Sequence, residues 1–147
     1  MYFGEFEKDC LEAHNQYRAR HHSPPLILDI GLCKYAHEWA QHLASRNTLQ
    51  HRSNNNYGEN IFMSMGRTNI SGRDAVRSWY DEVQDYNFHG GGFSQGTGHF
   101  TQVVWRDSKR LGVGMAKRGN SIYVVANYDP PGNFRGEYAK NVLPAVC

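Results

Sequence analysis

Two consecutive apolar segments near the C-terminus constrain the fold of this chain more than any other feature. Residues 111–116 alternate Leu, Val and Met with Gly, Gly and Ala, which puts large side chains on one face and small ones on the other. A second apolar segment covers residues 122–128, and residues 118–121 between them have turn composition. The pattern predicts a β-hairpin. Its large and small faces favour a sheet that helices cover on both sides.

The first of three helices predicted before residue 90 covers about residues 6–20. Apolar residues recur there at helical spacing, and the Ser-Pro-Pro run at residues 23–25 ends the pattern. His14 and Arg18 lie four positions apart and therefore on one face of this helix. We interpret both as structural residues that connect the helix to a neighbouring element through hydrogen bonds.

Two further helices have recognisable N-termini. Asp29 has the character of an N-cap for a helix that fades near Asn47. Residues 71–74 have the sequence of a capping box in front of a third helix. Glu82 is expected on this third helix, at the edge of an apolar stripe. The members of that stripe are Val76, Trp79, Val83 and Tyr86.

The stretch 98–108 predicts a fourth helix with His99 in its first turn. Its packed face would contain Phe100, Val103, Val104 and Asp107, which recur at helical spacing. Thr97, which lies between two glycines, is the candidate N-cap. The three glycines at residues 90–92 are interpreted as a connector, because a phosphate-binding loop would need a strand before it and a helix straight after it.

Composition and charge exclude several classes of protein. The chain has 147 residues, 39% of them hydrophobic and 20% charged, which is typical of one globular domain over residues 1–147. No apolar run reaches the ~18 residues of a membrane span. The net charge is only +2, and the basic residues are scattered, with the densest group at residues 18–22. We therefore expect no nucleic-acid partner.

The cysteine count favours a reducing compartment. Cys10, Cys33 and Cys147 cannot all pair within one chain, and no C-x-x-C motif is present. Free thiols are therefore expected. The first seven residues carry acid where a signal peptide would carry base. The expected location is intracellular; the alternative is a secreted protein whose signal peptide is missing from this chain.

Four segments resemble the motifs of the CAP family, which comprises the cysteine-rich secretory, antigen 5 and pathogenesis-related proteins. They occur in the family's order at residues 14–18, 58–61, 98–108 and 123–134. Their sequences are HNQYR, GENI, GHFTQVVWRDS and YVVANYDPPGNF. The resemblance implies an α+β fold, a three-layer α-β-α sandwich around a central, mainly antiparallel sheet.

An intracellular, Golgi-associated branch of the family is the most similar, in residues 86–88, 96–100 and 141–144. Secreted members carry a cysteine in the last motif where this chain has Ala126, which agrees with the free thiols. The Golgi-associated branch is also N-myristoylated on a glycine directly after the initiator methionine, and Tyr2 stands there instead. As written, the chain is expected to lack that anchor, unless its true start has been altered.

The resemblance also implies a central cleft formed by His51, Glu59, Glu82 and His99. The two imidazoles would bind a metal directly, and the two carboxylates directly or through a water. The expected cofactor is Zn²⁺ or another divalent cation, weakly bound because two histidines alone hold zinc loosely. The residues by themselves leave other interpretations open: a solvated loop residue for His51, a helix-face charge for Glu82 and a loop-stabilising carboxylate for Glu59.

The implied function is a non-enzymatic intracellular binding module. Its expected partners are anionic membrane lipids or a sterol, a protein, or a second copy of the chain, and its expected place is the cytosolic face of the Golgi or another membrane. The alternative is a metal-assisted protease or esterase with Glu59 or Glu82 as general base. A serine hydrolase would need a serine held against a histidine; the nearest candidate, Ser64, lies outside any G-x-S-x-G motif.

Overall fold

A four-stranded sheet lies between layers of helix, which confirms the predicted α-β-α sandwich. The computed structural model describes residues 4–66, 69–89 and 96–145. The strands are β1 (Ile27–Leu28), β2 (Gly58–Met65), β3 (Arg110–Arg118) and β4 (Ser121–Asp129), in the spatial order β1-β3-β4-β2. The helices are α1 (Glu5–Arg20), α2 (Ile30–Arg46), α3 (Gly72–Tyr80), α4 (Gly98–Val104) and α5 (Tyr138–Asn141), with a 3-10 helix at Asp81–Asp85. β1 pairs with β3 in parallel, and the other two pairings are antiparallel.

The predicted hairpin is present as β3 and β4, joined at Gly119 and Asn120. Gly119 has φ +56°, in the left-handed region that favours glycine. The small face of β3 lies against α2: a Cβ added at Gly114 would come within 2.3 Å of the Cα of His37. The glycines therefore let the backbone of α2 pack directly on the sheet, while the large face joins the core beneath α1 and α3.

The sequence analysis missed two strands. β1 is only two residues long. β2 was interpreted only as a short glutamate motif, because Glu, Asn and Ser interrupt any simple alternation in its sequence GENIFMSM. It nevertheless pairs with β4 over eight residues, from Gly58 opposite Tyr128 to Met65 opposite Ser121.

Both predicted ends of α2 are confirmed. The Asp29 carboxylate accepts a hydrogen bond from the Leu32 amide at 2.9 Å, and Asn47 ends the helix in the left-handed conformation with φ 52°. The capping box before α3 is also confirmed, since the side chains of Ser71 and Asp74 each accept from the other's backbone N–H.

The third helix ends earlier than predicted. α3 stops at Tyr80, and Glu82 therefore lies on the 3-10 helix and not on an α-helix. Val83 is only partly buried, whereas Trp79 and Tyr86 are buried as expected. A 3-10 helix advances about 120° per residue instead of 100°, so the direction in which Glu82 points could not be derived from an α-helical stripe.

The fourth helix is also shorter than predicted, and Asp107 is exposed instead of packed. The cause is the buried guanidinium of Arg18, which reaches this segment from α1. It donates at 2.8–3.1 Å to three backbone oxygens at and beyond the end of α4, those of Val103, Trp105 and Ser108. Because these carbonyls are bound by a side chain, the backbone turns away after residue 104. The structural role predicted for Arg18 is confirmed.

The densest group of basic residues contributes little charge to the surface. Arg18 and His21 are fully buried, and only Arg20 and His22 are exposed. The His21 ring is hydrogen-bonded at 2.8 Å to both Tyr80 Oη and a backbone oxygen near the C-terminus, and burial lowers its pKa.

Cys10 and Cys33 are free thiols, as predicted. Cys10 is fully buried, and the half-buried Cys33 accepts a hydrogen bond from the Val113 amide at 3.4 Å. Cys147 and the glycine run at residues 90–92 lie outside the described residues. Among the helices of the described ranges, none is both long enough and apolar enough to cross a membrane.

His14 connects α1 to β4, as its predicted structural role requires. Its Nε2 lies 2.7 Å from Tyr128 Oη, and its Nδ1 lies 2.9 Å from the backbone oxygen of Cys10. The residue is fully buried, and burial lowers the pKa of its imidazole to about 3. His14 is therefore neutral in the folded protein at every physiological pH.

This burial predicts acid sensitivity. Between pH 6.5 and about 3 the unfolded chain binds a proton at His14 that the folded protein does not. The free energy of unfolding should therefore fall by about 1.4 kcal/mol for each pH unit lost in that window. In urea unfolding at a series of pH values, His14→Gln should reduce this slope by about one proton. Tyr123→Phe, which removes a part-buried hydrogen bond but no imidazole, should leave the slope unchanged. A slope equal to wild type in His14→Gln would contradict the assignment.

Candidate functional site

The structure places His51, Glu59, Glu82 and His99 around one cavity of about 290 Å³. Each comes from a different element: the loop before β2, β2 itself, the 3-10 helix and the first turn of α4. The other residues of the cavity wall are Asn60, Gly96, Gly98 and Asn133. Two histidines 48 positions apart in sequence thus share a site that only the folded chain can form.

Glu59 holds His51 through a buried carboxylate. Its Oε1 lies 2.8 Å from His51 Nδ1 and also accepts from the Arg52 amide at 3.1 Å. Its Oε2 accepts from Asn55 Nδ2 at 3.4 Å. The carboxylate side chain is only 4% exposed, whereas the imidazole is 71% exposed. The hydrogen bond to Glu59 raises the pKa of His51.

Glu82 performs two tasks at the start of α4. Its Oε2 lies 2.8 Å from His99 Nδ1, and its Oε1 accepts from the amides of His99 and Phe100 at 2.9 and 3.0 Å. These are two of the N–H groups that a helix leaves without intrahelical partners. Thr97 occupies the predicted N-cap position, but its side chain makes no capping hydrogen bond. A carboxylate from another element caps the helix and orients its histidine.

Hydrogen-bond donors and acceptors fix the tautomer of both imidazoles. An ionised carboxylate only accepts, so Nδ1 must carry the proton in His51 and in His99. In the neutral ring, the lone pair is then on Nε2. The two glutamates each accept three hydrogen bonds, which occupies most of their acceptor capacity. The cleft therefore presents two Nε2 atoms backed by carboxylates.

Two asparagines of the site were missed by the sequence analysis. Asn60 donates to the backbone oxygen of His99 at 3.1 Å. Asn133, with φ 61°, donates to the backbone oxygen of Gly98 at 2.9 Å and accepts from the Thr101 hydroxyl at 2.6 Å. Both asparagines lie inside motifs that the sequence analysis had recognised. Their polar side chains within these motifs were the only sequence feature that could have marked them as site residues.

Ser64 is not brought to the cleft histidines. It lies on β2 opposite Ile122, five residues beyond Glu59, which is roughly 16 Å along an extended strand. Within residues 4–66, 69–89 and 96–145, no group of three or more His, Cys, Asp and Glu is arranged to hold a metal ion.

An α-β-α sandwich with this cleft is the architecture that the sequence motifs predicted, and a comparison with protein-family models identifies the family. The family model described as "CAP: Cysteine-rich secretory protein family" matches residues 11–128. The chain belongs to this family.

Individual relatives cover nearly all of the chain. It is 40% identical over 146 residues to the human Golgi-associated plant pathogenesis-related protein 1, covering 95% of this chain and 94% of the relative. It is 42% identical over 134 residues to pathogenesis-related protein 1A of Nicotiana tabacum, covering 89% and 79%. Two solved structures share the fold: NaASP2 with Zn²⁺ (TM-score 0.74, 24% identity, 98% and 87% covered) and BmVAL-1 (TM-score 0.79, 21% identity, 99% and 86% covered).

The double role of Glu82 predicts a stability effect. Glu82→Ala would leave two helix-terminal N–H groups without their acceptor, and the loss of one N-cap typically costs about 1 kcal/mol. Urea unfolding at pH 7 should show a decrease of at least that size. Glu12→Ala removes an exposed carboxylate paired with Arg73 at 3.7 Å and should change stability by less than about 0.5 kcal/mol. Equal effects of the two substitutions would contradict the cap.

Proposed function

We propose that this domain is a non-enzymatic binding module whose cleft binds a divalent metal ion, Zn²⁺ in the first place, through Nε2 of His51 and Nε2 of His99. The observation that carries the proposal is the pair of Glu–His hydrogen bonds at 2.8 Å. Histidines that bind metals almost always donate their other ring N–H to a carboxylate, a carbonyl or water. The two carboxylate–imidazole pairs therefore support a metal ion as the proposed ligand.

The proposed affinity is modest. Tight zinc sites use three or four protein ligands, and this cleft supplies two imidazoles with carboxylates behind them. A bound ion would complete its coordination with water or a ligand group and act on it as a Lewis acid. The structural relative NaASP2 was solved with Zn²⁺, which supports the choice of metal.

The binding role is better supported than the hydrolase alternative. A general base must direct a free lone pair at the proton it removes. Glu59 and Glu82 instead each accept three hydrogen bonds from neighbouring residues. Ser64, the candidate nucleophile, lies at the other end of β2. The contacts of the carboxylates thus favour holding the imidazoles over transferring protons.

We also propose an intracellular place at a membrane surface, with anionic lipids as ligands. The human relative is named Golgi-associated, which supports this location. The attraction should be weak, because the net charge is only +2 and two of the four basic residues at positions 18–22 are buried. A sterol, a protein or a second copy of the chain are the alternative partners.

Calorimetric titration tests the metal proposal. Zinc should bind the wild type, and His51→Ala and His99→Ala should each weaken it by at least tenfold. His37→Ala removes an exposed histidine outside the cleft and should change nothing. If zinc affinity survives both cleft substitutions, the metal site lies elsewhere.

The same titration predicts a pH dependence. Both rings must be neutral to bind, so affinity should fall as the pH decreases. Because Glu59 raises the pKa of His51, a proton competes with the metal at that ring already above the ordinary value of about 6.5. Zinc affinity measured from pH 8 to 6 should therefore decline across the whole range; a flat profile would contradict binding through His51.

Vesicle co-sedimentation tests the lipid proposal. Binding to anionic vesicles should be measurable at low salt and largely lost at 0.15 M, where charges are screened beyond about 8 Å. Arg20→Gln should weaken it by about fivefold, since one basic residue near the surface contributes about 1 kcal/mol. Arg20→Lys, which keeps the positive charge at the same exposed position, is the matched control and should bind as the wild type does. Equal binding to neutral and anionic vesicles would rule out the electrostatic account.

A further inference from the structure

A buried chain of hydrogen bonds leads from the cleft to α1. Asn60, which lines the cleft, donates from Nδ2 to the backbone oxygen of His99 and to Tyr128 Oη, both at 3.1 Å. Tyr128 Oη lies 2.7 Å from His14 Nε2, and His14 Nδ1 lies 2.9 Å from the backbone oxygen of Cys10. The side chains of Asn60, Tyr128 and His14 are at most 2% exposed.

The donor and the acceptor of each hydrogen bond in this series can be assigned by starting at its last member, the backbone oxygen of Cys10. The backbone oxygen of Cys10 can only accept, so Nδ1 of His14 carries the proton. The ring is neutral, which leaves the lone pair on Nε2 and makes the Tyr128 hydroxyl the donor in the short bond. The hydroxyl oxygen is then free to accept from Asn60.

This sequence of donors fixes the orientation of Asn60. Both of its amide hydrogens are used, one on Tyr128 and one on His99. With the amide reversed, its carbonyl oxygen would face two atoms that have no hydrogen to give, and buried polar atoms without partners are costly. Asn60 therefore holds the first turn of α4 from one side, while Glu82 holds it from the other.

We propose that Asn60 is a positioning residue for His99, and that Tyr128 of β4 and His14 of α1 fix the orientation of the Asn60 amide. The inference deepens the proposed metal site, because the imidazole of His99 would depend on side chains that never touch the ion. It also gives a role to the buried hydrogen bond between His14 and Tyr128. Because Tyr128 donates its hydroxyl hydrogen to His14, its oxygen can only accept from Asn60.

The ring nitrogens of His99 provide the test. In metal-free protein labelled with ¹⁵N-histidine, wild-type His99 should show widely separated Nδ1 and Nε2 shifts, the signature of one tautomer. Tyr128→Phe keeps the aromatic ring but removes the donor to His14 and the acceptor for Asn60. Asn60→Asp replaces the amide donors with acceptors. In both variants the two nitrogen shifts should move towards each other, and zinc affinity should fall by about tenfold.

Tyr123→Phe is the matched control. Tyr123 is another fully buried tyrosine of β4 and belongs to the core cluster beneath α2. Its hydroxyl donates to the exposed Asn47 at 2.6 Å. Tyr123→Phe removes the same hydroxyl group from the same strand and should leave the His99 shifts and zinc affinity unchanged. If Tyr128→Phe and Asn60→Asp leave the His99 nitrogen shifts unchanged, as Tyr123→Phe should, the inference fails. If wild type binds no zinc, the proposed function fails, and the nitrogen shifts still decide the positioning role.

Discussion

The buried guanidinium of Arg18 is the interaction on which the arrangement of this molecule depends most. A charge removed from water must be compensated, and here backbone oxygens of Pro24, Val103, Trp105 and Ser108 accept from it at 2.8–3.1 Å. Burial lowers its pKa only to about 10, so the charge is retained at neutral pH. These bonds connect the end of α1 to the end of α4 and set where the chain turns towards β3.

Side chains of other elements also bind the backbone at the N-terminal end of α4. A helix of seven residues is far below the length that is stable alone, so its partners must come from elsewhere in the chain. Glu82 accepts from its first amides, while Asn60 and Asn133 donate to its first carbonyls. The helix that carries His99 is therefore held at both ends by side chains of other elements, and the imidazole has a defined position before any ligand arrives.

Features that depend on neighbouring residues could be predicted from the sequence, whereas those that depend on distant side chains could not. The hairpin, α1, the caps of α2 and the capping box of α3 follow from periodicity and from residues within a few positions of each other. The end of α4 depends on Arg18, 85 residues before Val103, and its cap depends on Glu82, which follows a change to 3-10 geometry. Glu59 and His99 lie inside recognised motifs, whereas His51 and Glu82 were implied only by the family resemblance. Which glutamate holds which histidine depends on the folded arrangement.

The two Glu–His pairs differ in a way that matters for binding. Glu82 holds both the backbone and the ring of His99, so this imidazole is preorganised by the same contacts that stabilise α4. His51 lies in a loop with a 71% exposed ring, fixed chiefly by one hydrogen bond to a buried carboxylate. Ordering its ring costs conformational entropy when a ligand binds. Because that cost must be offset before binding can be tight, a fixed histidine paired with a more exposed one is consistent with the modest affinity proposed above.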